Sequence, residues 1–573
     1  MDYSRAVKIG LFLAIISLEE VIASKKPNII LIVGDDEGWN DFGFHGSSQI
    51  PTPNIDALAY NGVILDKFYT QQTCTPSRAA LLTGVYPFRY GFQGTPINAG
   101  ENRSLPFNIP TMAEQLKKLG YSTHLVGKWH LGAAYKKVTP TRRGFDSHFG
   151  YWAGFVGYFD YMASSEFTDT TNYTGLDLHH NFEPLWKYQG QYATDLFTKR
   201  SLNIIDKHNK DEPLFLLLAH LAAHTGKDGT ELGVPNITEA NEKYKYIDRK
   251  ERRQYAEVVK KMDDSIGEIV QKLSDRKMLE NSIIIFFSDN GAQTEGMYQN
   301  FASGWPLRGL KFTLFEGGVR GSCVAYSPLF EKQGYVNKEL MHITDWLPTL
   351  YHAAGGNVSK LGKIDGINQW DVISRNISTN RSEILLNIDE VVNHSGVLGY
   401  NGRYKLINGT YKQGIYDSYF GDSGRNGNGP EYDFQAVLNS PTHVAIQKLA
   451  SKIQIDKQSI TRTKKQVDRS SCRDKSYTPK ISCHEFCLFD IDQDPCETKN
   501  VIGDGDKLDI VNVLKNKLEG YYQVLTPQLN MKVDINSDPA RFNDTWSTWL
   551  DYEEHKFGIR NVLQYLYESL VYT

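Results

Sequence analysis

The chain has 573 residues, 40% of them hydrophobic and 12% aromatic, which is enough to bury a large core and suits two or more domains. Its formal net charge of −4 leaves no general basic field, so nucleic acid is excluded as a partner held by bulk charge.

The N-terminus reads as a secretory leader over residues 1–23. Arg5 and Lys8 form a short basic region, and Ile9–Leu18 is an apolar core too short to span a bilayer. Val21, Ile22 and Ala23 then offer a cleavage site after Ala23. No other run approaches twenty apolar residues, so no stable membrane insertion is expected. Nine Asn-X-Ser/Thr sequons between Asn102 and Asn543 agree with export, to the extracellular space or to a lysosome.

The strand and helix signals then alternate. Asn28–Gly34 (NIILIVG) is a continuous, β-branched apolar run suited to a strand covered on both faces. Ile109–Tyr121 has helical spacing and a glycine stop, and STHLVGKWHLG follows as a second strand and loop. Glu212–His224 reads as a third strand. Arg252–Met278 is a long amphipathic helix that feeds a fourth strand in Asn281–Gly291. This alternation predicts an α/β fold, a parallel or mixed sheet with helices on both faces, over residues 24–390. A smaller unit is expected over 391–573, with short strands in GRYKLING and CLFDIDQDP and a polar surface insertion near 421–475.

Cys472, Cys483, Cys487 and Cys496 crowd the last quarter and suit two disulfides, with three pairings open. Cys323 lies in GSCVAYSP, which reads as a buried strand, and is expected to stay a free core thiol. Cys74 is left over, and is either buried and inert or chemically used.

Two predicted strands end in oxygen donors, Asp35-Asp36 and Asp289-Asn290. In open α/β sheets, sites form beyond the carboxyl ends of strands. Three carboxylates and one amide there make a hard oxygen site for Ca²⁺ or Mg²⁺; alternatively each pair caps a turn. Neither pair has a histidine close in sequence, which further disfavours zinc. Cys74 precedes the helix-like run SRAALLTG, where free N–H groups stabilise negative charge, and Arg78 follows one turn later. Lys128 and His130 fall on one side of GKWHLG if that segment is extended. His224 ends another strand, and Lys311 sits in WPLRGLKFTLFEGGVRG. A metal, cations and histidines on one rim describe hydrolysis of an oxyanion ester. Phe149–Met162, rich in aromatics, lines a pocket or fills the core.

CTPSR followed by AALLTG resembles the signature of type I sulfatases, and NIILIVGDDEGWNDFG, GKWHLG, FFSDNGA, WPLRGLKFTLFEGGVRG and HITDWLPTL resemble their other blocks. Within that family the chain is similar to the arylsulfatase B group and its invertebrate relatives. The resemblance implies an alkaline-phosphatase-like large mixed sheet with a smaller C-terminal α+β domain carrying an antiparallel sheet. It also implies that a formylglycine-generating enzyme oxidises Cys74 to Cα-formylglycine, with Pro76 and Arg78 in the motif it reads. One hydroxyl of the hydrated aldehyde would attack sulfur, and the second would collapse the covalent sulfate hemiacetal. By the same resemblance Asp35, Asp36, Asp289, Asn290 and residue 74 would bind one Ca²⁺. Arg78 would steady the formylglycine, and Lys128 and Lys311 would hold the sulfate. His130 would take a proton from the hydrated aldehyde, and His224 would serve the leaving oxygen and contact substrate. The implied substrate is a sulfated sugar, such as an N-acetylgalactosamine 4-sulfate, or a small sulfated molecule such as a glucosinolate.

Three positions depart from the family pattern: Glu37, Thr225-Gly226 after His224, and Ala292. The change beside His224 puts recognition of the leaving group in question. A phosphoesterase of the related fold would demand serine or threonine at position 74. An inactive binding protein would be expected to have lost Cys74, Arg78 or the aspartates.

Overall fold

The computed structural model describes residues 25–165, 172–226, 232–425, 427, 429–449, 453–472 and 483–552. The expected leader lies outside them, as do parts of the 421–475 stretch. Among the described residues, ten strands form one sheet. In chain order they are β1 (Asn28–Gly34), β2 (Val63–Leu65), β3 (Ser122–Lys128), β4 (Ser147–Tyr151), β5 (His179–His180), β6 (Glu183–Pro184), β7 (Leu214–Ala219), β8 (Ser282–Ser288), β9 (Cys323–Tyr326) and β10 (Tyr335–Asn337). In space the order is β10-β2-β9-β8-β1-β7-β3-β4-β5-β6. The centre, β8-β1-β7-β3-β4, is parallel, and antiparallel pairs flank it on both sides.

β1 is buried along its whole length because both faces are covered. Strand alternation sends Ile30 and Ile32 to one face, where they join Val259, Met262 and Ile266 of a long helix, Lys250–Asp275. Ile29, Leu31 and Val33 go to the other face, with Ala79 and Leu82 of the helix Cys74–Thr83 and Leu116 of Met112–Lys118. Each such aliphatic side chain contributes about 1.5–3 kcal/mol when fully buried. The Met112–Lys118 helix starts on a capping box in which the Thr111 hydroxyl accepts from the Glu114 N–H and the Glu114 carboxylate from the Thr111 N–H. β3 closes against β7 only because residue 127 is glycine: its φ is +97°, and a Cβ there would stand 1.8 Å from the Ala219 carbonyl oxygen.

The 421–475 stretch, expected as a polar surface insertion, places helices Phe434–Leu438, Pro441–Gln447 and Lys457–Val467 against the large domain. They bury Val437, Ile446, Ile460 and Val467 in the same core as Ile30. Each carries only one or two apolar anchors between polar residues, too few for a periodic signal in the sequence.

A second sheet takes strands Ile384–Asp389, His394–Gly399, Tyr404–Asn408 and Cys487–Asp490, antiparallel in that order, so its first strand lies just before residue 391. One face packs on Leu514 and Leu518 of the helix Leu508–Tyr522, and the other on Leu314, Phe315 and Val319. The disulfides are Cys472–Cys496 and Cys483–Cys487, while Cys74 and Cys323 are free and buried, as expected. Among the described residues no helix is long and apolar enough to cross a membrane.

A buried charge cluster ties this second sheet to the first. The Lys405 ammonium meets Glu316 at 2.6 Å and Glu497 at 3.0 Å, and all three side chains are inaccessible to solvent. Against the upward pull of burial, Lys405 and Arg320 hold Glu316 down at about 2. Burial, with the neighbouring Glu316 charge, pushes Glu497 up to about 7 against the pull of Lys405. The folded chain therefore keeps a proton on Glu497 that an unfolded glutamate has already released. Its stabilising contribution is complete below the ordinary glutamate range and is lost as pH rises through about 7. Thermal unfolding followed from about pH 5 to about pH 8 should show the midpoint falling, and Glu497→Gln should flatten that fall. Lys405→Met, which removes the cation between Glu316 and Glu497, should cost about 3–5 kcal/mol in denaturant unfolding.

Candidate active site

The parallel strands put four chain segments on one rim. Gly34 pairs with Ser288, Val33 with Ala219, and Ala219 with Gly127, so the segments that follow leave the sheet side by side. They carry Asp35 and Asp36, Asp289 and Asn290, His224, and Lys128 with His130. Cys74 joins them from the first turn of its helix, and Lys311 from the loop ahead of Glu316.

The carboxylates are buried and are met by an equal number of cations. Asp35 accepts from Lys128 at 2.6 Å and from Arg78 at 3.4 Å. Asp289 accepts from Arg78 Nε at 3.0 Å and Nη2 at 2.8 Å. Asp36 accepts from Lys311 at 2.8 Å and from the Asn290 amide at 2.6 Å. Asp36 sits at φ +66° and turns out of the strand line; Asn300 holds it there by donating to the carbonyls of Asp36 and Ala223 at 2.9 and 3.0 Å. The turn after Asn290 needs glycine at 291, where a Cβ would stand 2.0 Å from the Gly317 carbonyl oxygen.

Cys74, His130, His224 and Lys311 line one cavity of about 140 Å³. Arg78 and Lys128 are outside its lining, buried on the carboxylates. Burial pushes the Cys74 thiol up, against Lys128 and Lys311, so the unmodified group is a poor thiolate. Ser77 of the CTPSR run exchanges hydrogen bonds with the Gln71 backbone at 3.0 and 3.2 Å, fixing the entry to the helix. Thr75 donates to the His130 carbonyl at 3.2 Å and accepts from the Ile97 N–H at 3.1 Å, so the helix start and the His130 loop are tied together.

His130 reaches the cavity by a route that alternation does not describe. It lies beyond the end of β3 at φ +60°, in a left-handed turn. Its Nε2 is 2.8 Å from the Ile97 carbonyl oxygen, which accepts only, so Nε2 carries the hydrogen. Burial first, then the Lys128 charge, hold its pKa well below the ordinary histidine value, and the neutral ring leaves a buried Nδ1 without a partner among the described residues. That nitrogen can take a proton.

His224 lies five residues past β7, and its Nδ1 is 2.9 Å from the Thr225 carbonyl oxygen, which turns Nε2 to within 3.5 Å of Asp36. No histidine lies close to the oxygen donors in sequence, but the fold brings His224 to them: candidate ligand atoms of Asp35, Asp36 and His224 lie within 4.8 Å of one another.

The donor set fits a hard cation. Asp35 Oδ1 and Asn290 Oδ1 are buried without hydrogen-bond partners among the described residues, and with Asp36 and Asp289 they make an oxygen-rich site with one imidazole at its edge. The Glu37 carboxyl is buried against the α-carbon of Gly34, and burial, then the Asp289 and Asp35 charges, push it well above the carboxylate range.

Sequence reasoning missed Thr75 and Asn300, which no local pattern marks, and the wall rings of Tyr298, Phe312 and Tyr411. Of the aromatic run, Tyr151, Tyr158 and Tyr161 belong to the core, while Phe155 lines the cavity and stacks on His224 with centroids 4.9 Å apart.

Residues 27–356 match the family model described as Sulfatase. The chain is 39% identical to arylsulfatase J of Mus musculus over 383 residues, 66% of this chain and 61% of that one. It is 31% identical to N-acetylgalactosamine-6-sulfatase of Homo sapiens over 355 residues, 60% of this chain and 65% of that one. The chain thus matches just under two thirds of the length of each of these relatives. The crystal structure of Ps i-CgsB in complex with k-i-k-neocarrahexaose superposes with a TM-score of 0.67 at 25% identity, covering 91% of this chain and 97% of that one. The motif blocks read from the sequence, the sheet with its site at the strand ends and these matches agree: the chain belongs to the sulfatase family.

Proposed function

We propose that the protein hydrolyses sulfate esters and that residue 74 acts as Cα-formylglycine. One observation carries this reading: the CTPSR cysteine lines a cavity with His130, His224 and Lys311, directly against a buried cluster of three carboxylates and three cations. As the hydrated aldehyde, residue 74 would supply one hydroxyl to attack sulfur and a second to let sulfate leave. Asp35, Asp36, Asp289, Asn290 and residue 74 would hold Ca²⁺, whose charge favours an anionic ester over the otherwise balanced cluster.

The remaining roles follow from position. Lys311, with one face on Asp36 and one on the cavity, binds sulfate oxygens, with Lys128 adding its charge from behind Asp35. Arg78 fixes Asp289 and Asp35 beneath residue 74. His130 accepts the proton at Nδ1 as sulfate departs. His224 presents Nε2 to the leaving oxygen. The names of the relatives point to aryl and sugar sulfates, so the substrate is a sulfated sugar or a small sulfated metabolite such as a glucosinolate. Kinship with the arylsulfatase B group rests on the motif blocks alone.

Export belongs to the same reading. Two disulfides, and sequon asparagines that are exposed at every position except the half-buried Asn408, suit a secreted or lysosomal glycoprotein. The formylglycine-generating enzyme would act before folding buries Cys74, which is 2% exposed in the folded chain.

Protein co-expressed with that enzyme should release the phenol from an aryl sulfate and leave the matching aryl phosphate intact. Mass spectrometry of the tryptic peptide Phe68–Arg78 should show the aldehyde at residue 74, with the sulfur replaced by oxygen and two hydrogens lost. Cys74→Ala should abolish turnover, and His130→Ala should lower it by about 10²–10⁴-fold. Phosphate hydrolysis that survives Cys74→Ala would refute the mechanism. In a separate thermal-shift titration, Ca²⁺ should raise the unfolding midpoint in proportion to the logarithm of its concentration, and EGTA should reverse this. Asp36→Asn should remove the response; a midpoint indifferent to Ca²⁺ in the parent protein would argue against the ion.

A further inference from the structure

The walls of the cavity beyond the sulfate end say what it accepts. Two groups of rings form them. Phe155, His224 and Tyr298 make a triangle with centroids 4.9–6.0 Å apart. Phe312 and Tyr411 are stacked at 4.9 Å with planes 9° apart. Tyr298 and Phe312 are both held in left-handed backbone, at φ +60° and +78°. Bulky residues reach that region only at a cost of order 1 kcal/mol or more, which makes it a mark of functional positioning. Here it aims two rings into the same cavity.

The described walls carry little charge. Among the described residues that line the cavity, Lys311 is the one lysine or arginine, and its ammonium is already 2.8 Å from Asp36. Lys412 is exposed and lies over the Tyr411 ring, 5.6 Å from its centroid, outside the lining. No aspartate or glutamate is among the described lining residues either. A carboxylate or second sulfate carried in on the leaving group would lose its water and find no unpaired cation among them. The size sets a second limit. The cavity of about 140 Å³ also has to hold the sulfate, and roughly 150 Å³ takes up a single benzene ring in an engineered protein cavity, so it encloses no more than one ring.

We infer that the leaving alcohol is one uncharged ring, seated against Phe155, Tyr298, Phe312 and Tyr411, and that rings bearing a carboxylate or a further sulfate are rejected. This rests on the proposed sulfate ester hydrolysis and narrows its substrate class. It sets aside uronate-containing and multiply sulfated sugars in favour of monosulfated neutral rings. Neutral substituents on the ring still find hydrogen-bonding groups on Thr95, Asn98 and Ser164.

Binding to full-length Cys74→Ala, measured calorimetrically in Ca²⁺-containing buffer, tests this without turnover. The probes are phenyl sulfate and 4-carboxyphenyl sulfate. Phenyl sulfate should bind at least about tenfold more tightly. On that background Phe155→Leu and Tyr411→Leu should each weaken phenyl sulfate about three- to tenfold. Met297→Lys, which places an ammonium at the half-open mouth, should bring the carboxylated probe level with the neutral one. Equal affinity of the two probes in the parent background would overturn the inference, as would aromatic-to-leucine changes without effect or binding of neither probe. A wild-type enzyme that releases no sulfate would instead count against the hydrolysis and leave this comparison of affinities standing.

Discussion

Everything at the rim depends on keeping six charges buried together. Asp35, Asp36 and Asp289 face Arg78, Lys128 and Lys311, and none of the six is more than 5% exposed. Taking one such charge out of water costs several kcal/mol, which only a well-placed partner offsets. No helix or loop alone can supply that placement. It comes from β8, β1, β7 and β3 running parallel and in register, so that their next residues leave the sheet at the same height. The apolar strands behind the rim are the support for this cluster, and its neutrality explains why the core tolerates it.

The second sheet is part of the same solution. The loop that delivers Lys311 runs on through Leu314 and Phe315, which pack under the small sheet, to Glu316, which is pinned by Lys405, Arg320 and Tyr69. Tyr69 itself leads into the segment that ends at Cys74. One buried glutamate therefore braces both the cation and the nucleophile position from behind. Glu497, next to the Cys472–Cys496 disulfide, closes the seam by accepting the Glu316 N–H at 2.7 Å. The small domain acts on the site through these contacts, although apart from Tyr411 it contributes little to the cavity lining.

The legible features were those with local causes. Continuous β-branched runs announced the central strands, because a strand buried on both faces has no polar alternation to hide it. Oxygen donors at two strand ends announced the acidic half of the site, and Cys74 with Arg78 announced a helix start. His130 and His224 were legible as residue types but not as geometry: one turns in through a left-handed backbone, the other lies five residues beyond its strand. Asn300 and Thr75 were not legible, since each acts through hydrogen bonds to segments between 22 and 264 residues away. The helices of the 421–475 stretch were missed because their few apolar residues form a pattern only against the partner surface.

This difference follows a division within the site. Most groups that act on the sulfate come from strand ends and a helix start, whose positions the sheet fixes, and Lys311 comes from a loop that Glu316 anchors to the small sheet. Groups that meet the rest of the substrate come from loops: Thr95 to Ala99, Ala153 to Phe155, Met297 and Tyr298, and Tyr411. A loop can change its aromatic residues without disturbing the buried charges, whereas any change at a strand end strands a charge. The chemistry is therefore held by the part of the fold with the least freedom to vary, and selectivity by the part with the most. Thr225 and Gly226, which depart from the family pattern beside His224, stand where these two parts meet.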